Sequence, residues 1–236
     1  MAVQWLILFD IDGTLLHSGG CGRAATRLAL QEVFGTTGQL DEVSFAGATD
    51  WQILLEALVP AGIFVEDIER QLDRYNQAVA GHLARIIDQV PIRPCPGAPE
   101  VVAALRENSS ALLGLVTGNM ESLVAIKLRA AGYDPLDFKI GAFGSDGWTR
   151  PMLPPLALER ARRFAGIDFA PDHIVIIGDT PGDIECASSI EARTIAVATG
   201  PFSVEQLAAH RPDHVFADLA NRDAVLSAIF ANGRTR

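Results

Sequence analysis

Three short apolar runs constrain most strongly what this chain can fold into. Trp5 to Phe9, Ala111 to Val116 and His173 to Ile177 are uninterrupted and of strand length, and each breaks off into small, hydroxylic or acidic residues. An alternating run suits a strand with one wet face, whereas a continuous one suits a strand covered on both sides, as in the middle of a parallel sheet. Helix-like segments follow at Glu121 to Ala131 and Pro181 to Ser189, and a further strand, Thr194 to Val197, precedes another at Val204 to Ala209. Strand and helix alternating in this way predict a doubly wound, Rossmann-like α/β fold.

Between the first and second runs the pattern changes. Arg23 to Phe34, Asp50 to Leu58 and Glu66 to Ile87 space their Leu, Ile, Val and Ala residues as helices do, with Gly35 and Pro60-Ala61-Gly62 as breaks. A purely helical block that interrupts an α/β pattern reads as an inserted cap domain. The expected division is a parallel-sheet core over 1–15 and 92–236 with an all-helical cap over 16–91. The hinges fall at Leu16 to Gly22, with three glycines, and Val90 to Gly97, with three prolines.

A chain of 236 residues suits one large domain carrying such an insert. With 49% apolar and 20% charged residues it reads as globular, not as disordered or collagenous. A formal charge of −10, with no cluster of basic residues against it, disfavours nucleic acid and anionic membranes as partners. Cys21, Cys95 and Cys186 are far apart and form no C-x-x-C pair, so neither a zinc site nor a disulfide framework is expected. No targeting or membrane-spanning segment is evident, and a cytoplasmic monomer or small homo-oligomer is the expectation.

Asp10 and Asp12 follow the first run, and Asp179 and Asp183 follow the third. In open α/β sheets this carboxyl edge is where ligands bind. Two ionised carboxylates ~4 Å apart cost about 4 kcal/mol at an effective dielectric near 20, roughly three pKa units. Either a cation sits among the four or some stay protonated, and oxygen-only ligands beside a phosphate suggest Mg²⁺. Thr117 offers a hydroxyl, Gly118 and Asn119 offer backbone N–H groups near a helix start, and Arg150 adds a permanent charge, so the same edge suits a phosphate. Together these groups describe Mg²⁺-assisted phosphoryl transfer.

With those residues in view, the sequence resembles the haloacid dehalogenase-like (HAD) phosphatase superfamily, in its phosphoglycolate-phosphatase-like group with a helical cap. The matching segments are Phe9-Asp10-Ile11-Asp12-Gly13-Thr14-Leu15, Val116-Thr117-Gly118-Asn119 and Ile177-Gly178-Asp179-Thr180-Pro181-Gly182-Asp183, in family order. The resemblance implies that Asp10 attacks phosphorus to form an aspartyl-phosphate, and that Asp12 is the general acid and then the base. It implies Mg²⁺ held by the Asp10 carboxylate, the Asp12 backbone carbonyl and Asp179, with Asp183 in or near the layer of groups just behind those ligands. Thr117, Gly118 and Asn119 would hold the phosphoryl oxygens of a small phosphate ester, phosphoglycolate first among the candidates.

Two segments depart from the family pattern. Where relatives carry Lys-Pro-x-Pro this chain reads Arg150-Pro151-Met152-Leu153-Pro154, and His17 stands where an aspartate often follows the first motif. Arg150 is the expected stand-in for the lysine, keeping its charge but not its shape. Asp12 argues against a dehalogenase, which has no leaving alcohol to protonate. The absence of lysine before Lys127 argues against a cap lysine, whether for a Schiff base or for a phosphomutase of the β-phosphoglucomutase type. That phosphomutase and a non-catalytic phosphate-binding regulatory module remain the alternatives. In the cap, Phe45 to Asp50 resembles the family's Gly-x-Thr-Asp segment facing the cleft; Thr49 or Asp50 also suits a helix N-cap, and Arg23 is a weaker substrate contact.

Overall fold

The structure, a computed structural model, describes residues 3–231. Its centre is β1 (Trp5–Phe9), every residue of which is buried. Two neighbours run parallel to it, β4 (Ala111–Val116) and β6 (Ile174–Gly178), with Phe9 opposite Leu115 on one side and Ile177 on the other. β5 (Ile140–Ala142) continues the sheet beyond β4, and β7 (Arg193–Val197) and β8 (His214–Phe216) continue it beyond β6, giving the order β5-β4-β1-β6-β7-β8 with all pairs parallel. The chain thus winds to one side of β1 and then to the other, which opens a crevice at the carboxyl ends of β1, β4 and β6. The register brings Asp10, Thr117 and Asp179, each one residue past its strand, to that crevice.

Alternation along β1 divides the core into two layers. Ile7 and Phe9 join Leu113, Leu115, Val175 and Ile177 in a cluster that also takes in α4 (Ala98–Glu107), α5 (Glu121–Ala130) and α9 (Arg222–Ile229). Leu6 and Leu8 face the other way, with Leu112, Ile174 and Ile176, onto α6 (Leu153–Ala165). Both faces are covered, the condition under which a strand can be apolar throughout. α7 (Pro181–Cys186) and α8 (Val204–Ala208) complete the flanking helices.

The helical block consists of α1 (Cys21–Phe34), α2 (Asp50–Leu58) and α3 (Val65–Ile86), with α1 packed along α3. These helices have a core of their own, joined by Met120, just before α5, and by Leu123 and Ile126 of α5. The two segments entering and leaving the block meet as an antiparallel ribbon, β2 (Leu16–His17) against β3 (Arg93–Pro94). The predicted third run starts one residue late because Pro171–His173 forms a 3₁₀ turn, and the His173 ring stacks on Trp5 at 4.2 Å. The helix expected over Pro181 to Ser189 is α-helical only as far as Cys186 and tightens into a 3₁₀ turn at 187–190.

Leu8→Ala, in the middle of β1, is expected to lower unfolding stability by about 3 kcal/mol through lost burial and the cavity left behind. Leu136→Ser, at a side chain 74% exposed, is expected to change it by less than about 0.5 kcal/mol. Chemical denaturation of the two variants checks this, and similar losses at both positions would contradict the assigned core.

Candidate active site at the carboxyl edge of the sheet

β1 and β6 deliver three buried carboxylates to one point. Asp10, Asp179 and Asp183 each offer an oxygen within 4.8 Å of the other two. Gly13, at φ +86°, brings the turn after β1 so close that a Cβ there would overlap the Asp179 carboxylate. Thr14 donates its hydroxyl to Asp179 Oδ1 at 3.2 Å. Asp183 caps α7: its Oδ2 accepts from the Thr180 N–H at 3.0 Å and the Thr180 hydroxyl at 2.7 Å, while its Oδ1 pairs with Arg150. The buried guanidinium of Arg150 lies 3.0 Å from Asp10 Oδ1 as well, so the cation expected beside a phosphate is engaged by two carboxylates.

The electrostatics follow from this crowding. Burial raises the Asp10 carboxyl, Arg150 pulls it down, and Asp183 and Asp12 push it up again, to about 6 in all. Asp179 is driven well above the ordinary carboxylate range by burial and by the charges of Asp10 and Asp183. One guanidinium among three carboxylates leaves a negative surplus in a dry place. An all-oxygen donor set of this kind fits a hard divalent cation, and the three residues could hold one. The Asp12 side chain is not part of this cluster; the resemblance assigns its backbone carbonyl to the ion.

The Asp12 carboxylate belongs to a second network. Its Oδ2 accepts from Lys127 Nζ at 2.6 Å and from Asn119 Nδ2 at 2.8 Å. Lys127 also donates to Asn119 Oδ1 at 2.6 Å, and Asn119 Nδ2 reaches Thr117 Oγ1 at 2.8 Å. Burial would raise the Asp12 carboxyl, but the charge and hydrogen bond of Lys127, with help from Ser18 and Asn119, bring it below its ordinary value. Lys127 escapes a motif reading because it lies ten residues past Thr117, inside a helix. A signal was nonetheless present: it shares the inward face of α5 with Leu123, Val124 and Leu128, where a lysine needs a partner.

Over this edge lies a cavity of about 620 Å³, floored by Asp10, Asp12 and Asp179 and roofed by Phe45 and Ile53 from the helical block. The segment before α2 is clasped to the core. Asp50 N donates to Gly118 O at 2.7 Å, the Thr49 hydroxyl to Trp148 O at 2.9 Å, and Met120 N to Asp50 Oδ2 at 2.6 Å. Gly118 lets the two backbones come this near, since a Cβ would overlap Ala48 O. Thr49 also caps α2, as expected, while Asp50 takes the Met120 N–H at the start of α5. The start of that helix is therefore already met by a carboxylate of this chain. Arg23 donates to Leu40 O at 2.9 Å and Val43 O at 2.8 Å and lies over the Phe45 ring, which makes it a brace for the cavity roof. His17 stands exposed on the β2–β3 ribbon, 3.6 Å from Cys95 Sγ.

The sequence profile of the family described as haloacid dehalogenase-like hydrolase matches residues 7–188, a span that contains both carboxylate pairs and the helical block. The chain belongs to the haloacid dehalogenase-like hydrolase family. It is 24% identical over 220 residues to a phosphoglycolate phosphatase of Pseudomonas putida, covering 91% of this chain and 76% of that protein. It is 23% identical over 227 residues to the pyrophosphatase PpaX of Oceanobacillus iheyensis, covering 95% and 98%. Among solved structures, a hydrolase from Pseudomonas syringae superposes with a TM-score of 0.70 at 23% identity, over 97% of this chain and all of that one. No helix among the described residues of this HAD chain is long and apolar enough to cross a membrane.

Asp50 supplies a test of the clasp. Burial outweighs the Met120 hydrogen bond and the pull of Lys127 and raises its carboxyl to about 6. A carboxyl raised in the folded state stabilises the fold in full below the unfolded value near 4, and that contribution is lost as pH climbs through 6. Asp50→Asn keeps the acceptor and cannot ionise. Its stability relative to the unmodified protein is expected to rise by roughly 2 kcal/mol between pH 4 and pH 8. Denaturant unfolding across that range checks it, and a constant difference would contradict the placement of Asp50.

Proposed function

We propose that this chain is a Mg²⁺-dependent phosphomonoester hydrolase acting through an aspartyl-phosphate on Asp10. The observation that carries the reading is the meeting of Asp10, Asp179 and Asp183 within one cation's reach, with Asp12 two residues from Asp10 yet held apart from that cluster. In this reading Asp10 and Asp179 hold the ion with the Asp12 backbone carbonyl, and Asp183 borders it. When bound, the ion screens the charge of the ester and of the nucleophile. Asp10 Oδ attacks phosphorus while the P–O bond to the leaving alcohol breaks, and the Asp12 carboxyl gives that oxygen its proton. Water then attacks the aspartyl-phosphate, Asp12 takes its proton, and inorganic phosphate and free Asp10 result.

Thr117, Gly118 and Asn119 position the phosphoryl oxygens in this scheme. Arg150 orients Asp10 and Asp183 from beneath, which is how it serves in place of the usual lysine. Residues 16–91 act as the cap on a core of 1–15 and 92–236, hinged at the β2–β3 ribbon and excluding water while phosphorus is transferred. A cavity of this size suits a small organic phosphate, and the phosphoglycolate phosphatase relative makes phosphoglycolate the first ester to try. Cytoplasmic placement fits three free, buried cysteines.

Asp10→Asn is expected to lower phosphate release from an aryl phosphate by a factor on the order of 10³ or more without altering the circular dichroism spectrum. Chelation by EDTA should abolish turnover by the unmodified protein and Mg²⁺ should restore it. Turnover that survives either treatment would contradict the scheme.

A further inference from the structure

The reading above leaves the buried charge of Lys127 without a task. Lys127 is 3% exposed, stands in the core and not in the cap, and spends its ammonium on two acceptors, Asp12 Oδ2 and Asn119 Oδ1. Asp12 Oδ1 is shut off from solvent while about a third of the side chain is open, so the carboxylate meets the cavity through Oδ2, the oxygen that Lys127 holds. The terminal torsion of an aspartate is broad, and nothing in its own geometry decides which oxygen faces a substrate. The ammonium decides it here. By donating to Asn119 Oδ1 it also fixes the Asn119 amide, whose nitrogen then bridges Asp12 Oδ2 and Thr117 Oγ1. One side chain thereby sets the orientation of the proton donor and of the residue beside the phosphate position. Gly22, in the first turn of α1, lies against the ammonium, so the site closes around Lys127 from the cap side.

We propose that Lys127 is a positioning residue for leaving-group protonation, holding Asp12 Oδ2 toward the ester oxygen and stabilising its charge once the proton has left. The proposal rests on the phosphatase reading. In the first step the proton moves from Asp12 to the departing alkoxide as the P–O bond breaks and the bond from Asp10 to phosphorus forms. Lys127 transfers nothing and keeps its own protons throughout. Its contribution therefore depends on how badly the leaving group needs a proton.

Kinetics with two esters separate this from a structural role. 4-Nitrophenolate leaves without a proton, whereas the alkoxide of glycerol 3-phosphate does not. With Mg²⁺ present, Lys127→Met is expected to lower kcat for glycerol 3-phosphate by about 100-fold and for 4-nitrophenyl phosphate by less than about fivefold. Asp12→Asn should show the same split, and the double variant should lose little beyond Asp12→Asn alone, because the two residues act as a unit. Lys127→Gln, which keeps a donor without the charge, should show the split in weaker form and serves if the Met variant does not fold. Equal losses on both esters would overturn the role of Lys127 while leaving the phosphatase reading intact. An unmodified protein that hydrolyses neither ester would overturn the reading on which it rests.

Discussion

Three carboxylates buried against one another are the constraint on which the rest of this structure depends. Asp10, Asp179 and Asp183 cannot all ionise in a dry place with a single guanidinium between them, since each close pair costs several kcal/mol. The fold nevertheless brings them together. A parallel sheet is the framework that can do so, because strands running the same way end at the same edge, and winding to both sides of β1 leaves that edge open. The turn at Gly13, the capping box at Thr180 and Asp183 and the buried Arg150 keep the three side chains in place. A divalent ion among them, as the proposed function requires, would let all three ionise.

Asp10 and Asp12 are two residues apart and live in opposite environments. Asp10 is raised by burial and by its acidic neighbours, and Asp12 is lowered by Lys127 despite its burial. Taken alone, these environments oppose the roles in the scheme, since a nucleophile must be ionised and a general acid must begin protonated. A cation beside Asp10 favours its ionised form, which removes the need for a proton there. The division is built by different parts of the chain: the strand β6 side supplies the neighbours of Asp10, and helix α5 supplies those of Asp12.

Much of this was legible in the sequence, for reasons that differ from residue to residue. Trp5 to Phe9 announced a central strand because nothing polar interrupts it, and Asp10, Asp12, Asp179 and Asp183 were visible because they stand where such runs stop. The three helices of the inserted block show their period plainly. α4, α6 and α9 lie outside the expected helices: α4 opens with Ala98-Pro99 and α6 with Leu153-Pro154-Pro155, which read as loop although proline is well tolerated in a first turn. β8 is a three-residue, half-buried edge strand with too little pattern to register. Arg150 was expected next to a phosphate, and its grip on two carboxylates depends on a loop path that no local pattern encodes. Lys127 was hidden for the opposite reason, because a helix interior hides which of its residues reaches a neighbouring strand.

The central claim, that the carboxyl edge of β1 and β6 is one cation site, is tested most directly by isothermal calorimetry of Mg²⁺ binding without substrate. The account requires a single site in the unmodified protein, abolished by Asp179→Asn although that variant keeps its secondary structure. Undiminished binding of one Mg²⁺ to Asp179→Asn, or none to the unmodified chain, would contradict it.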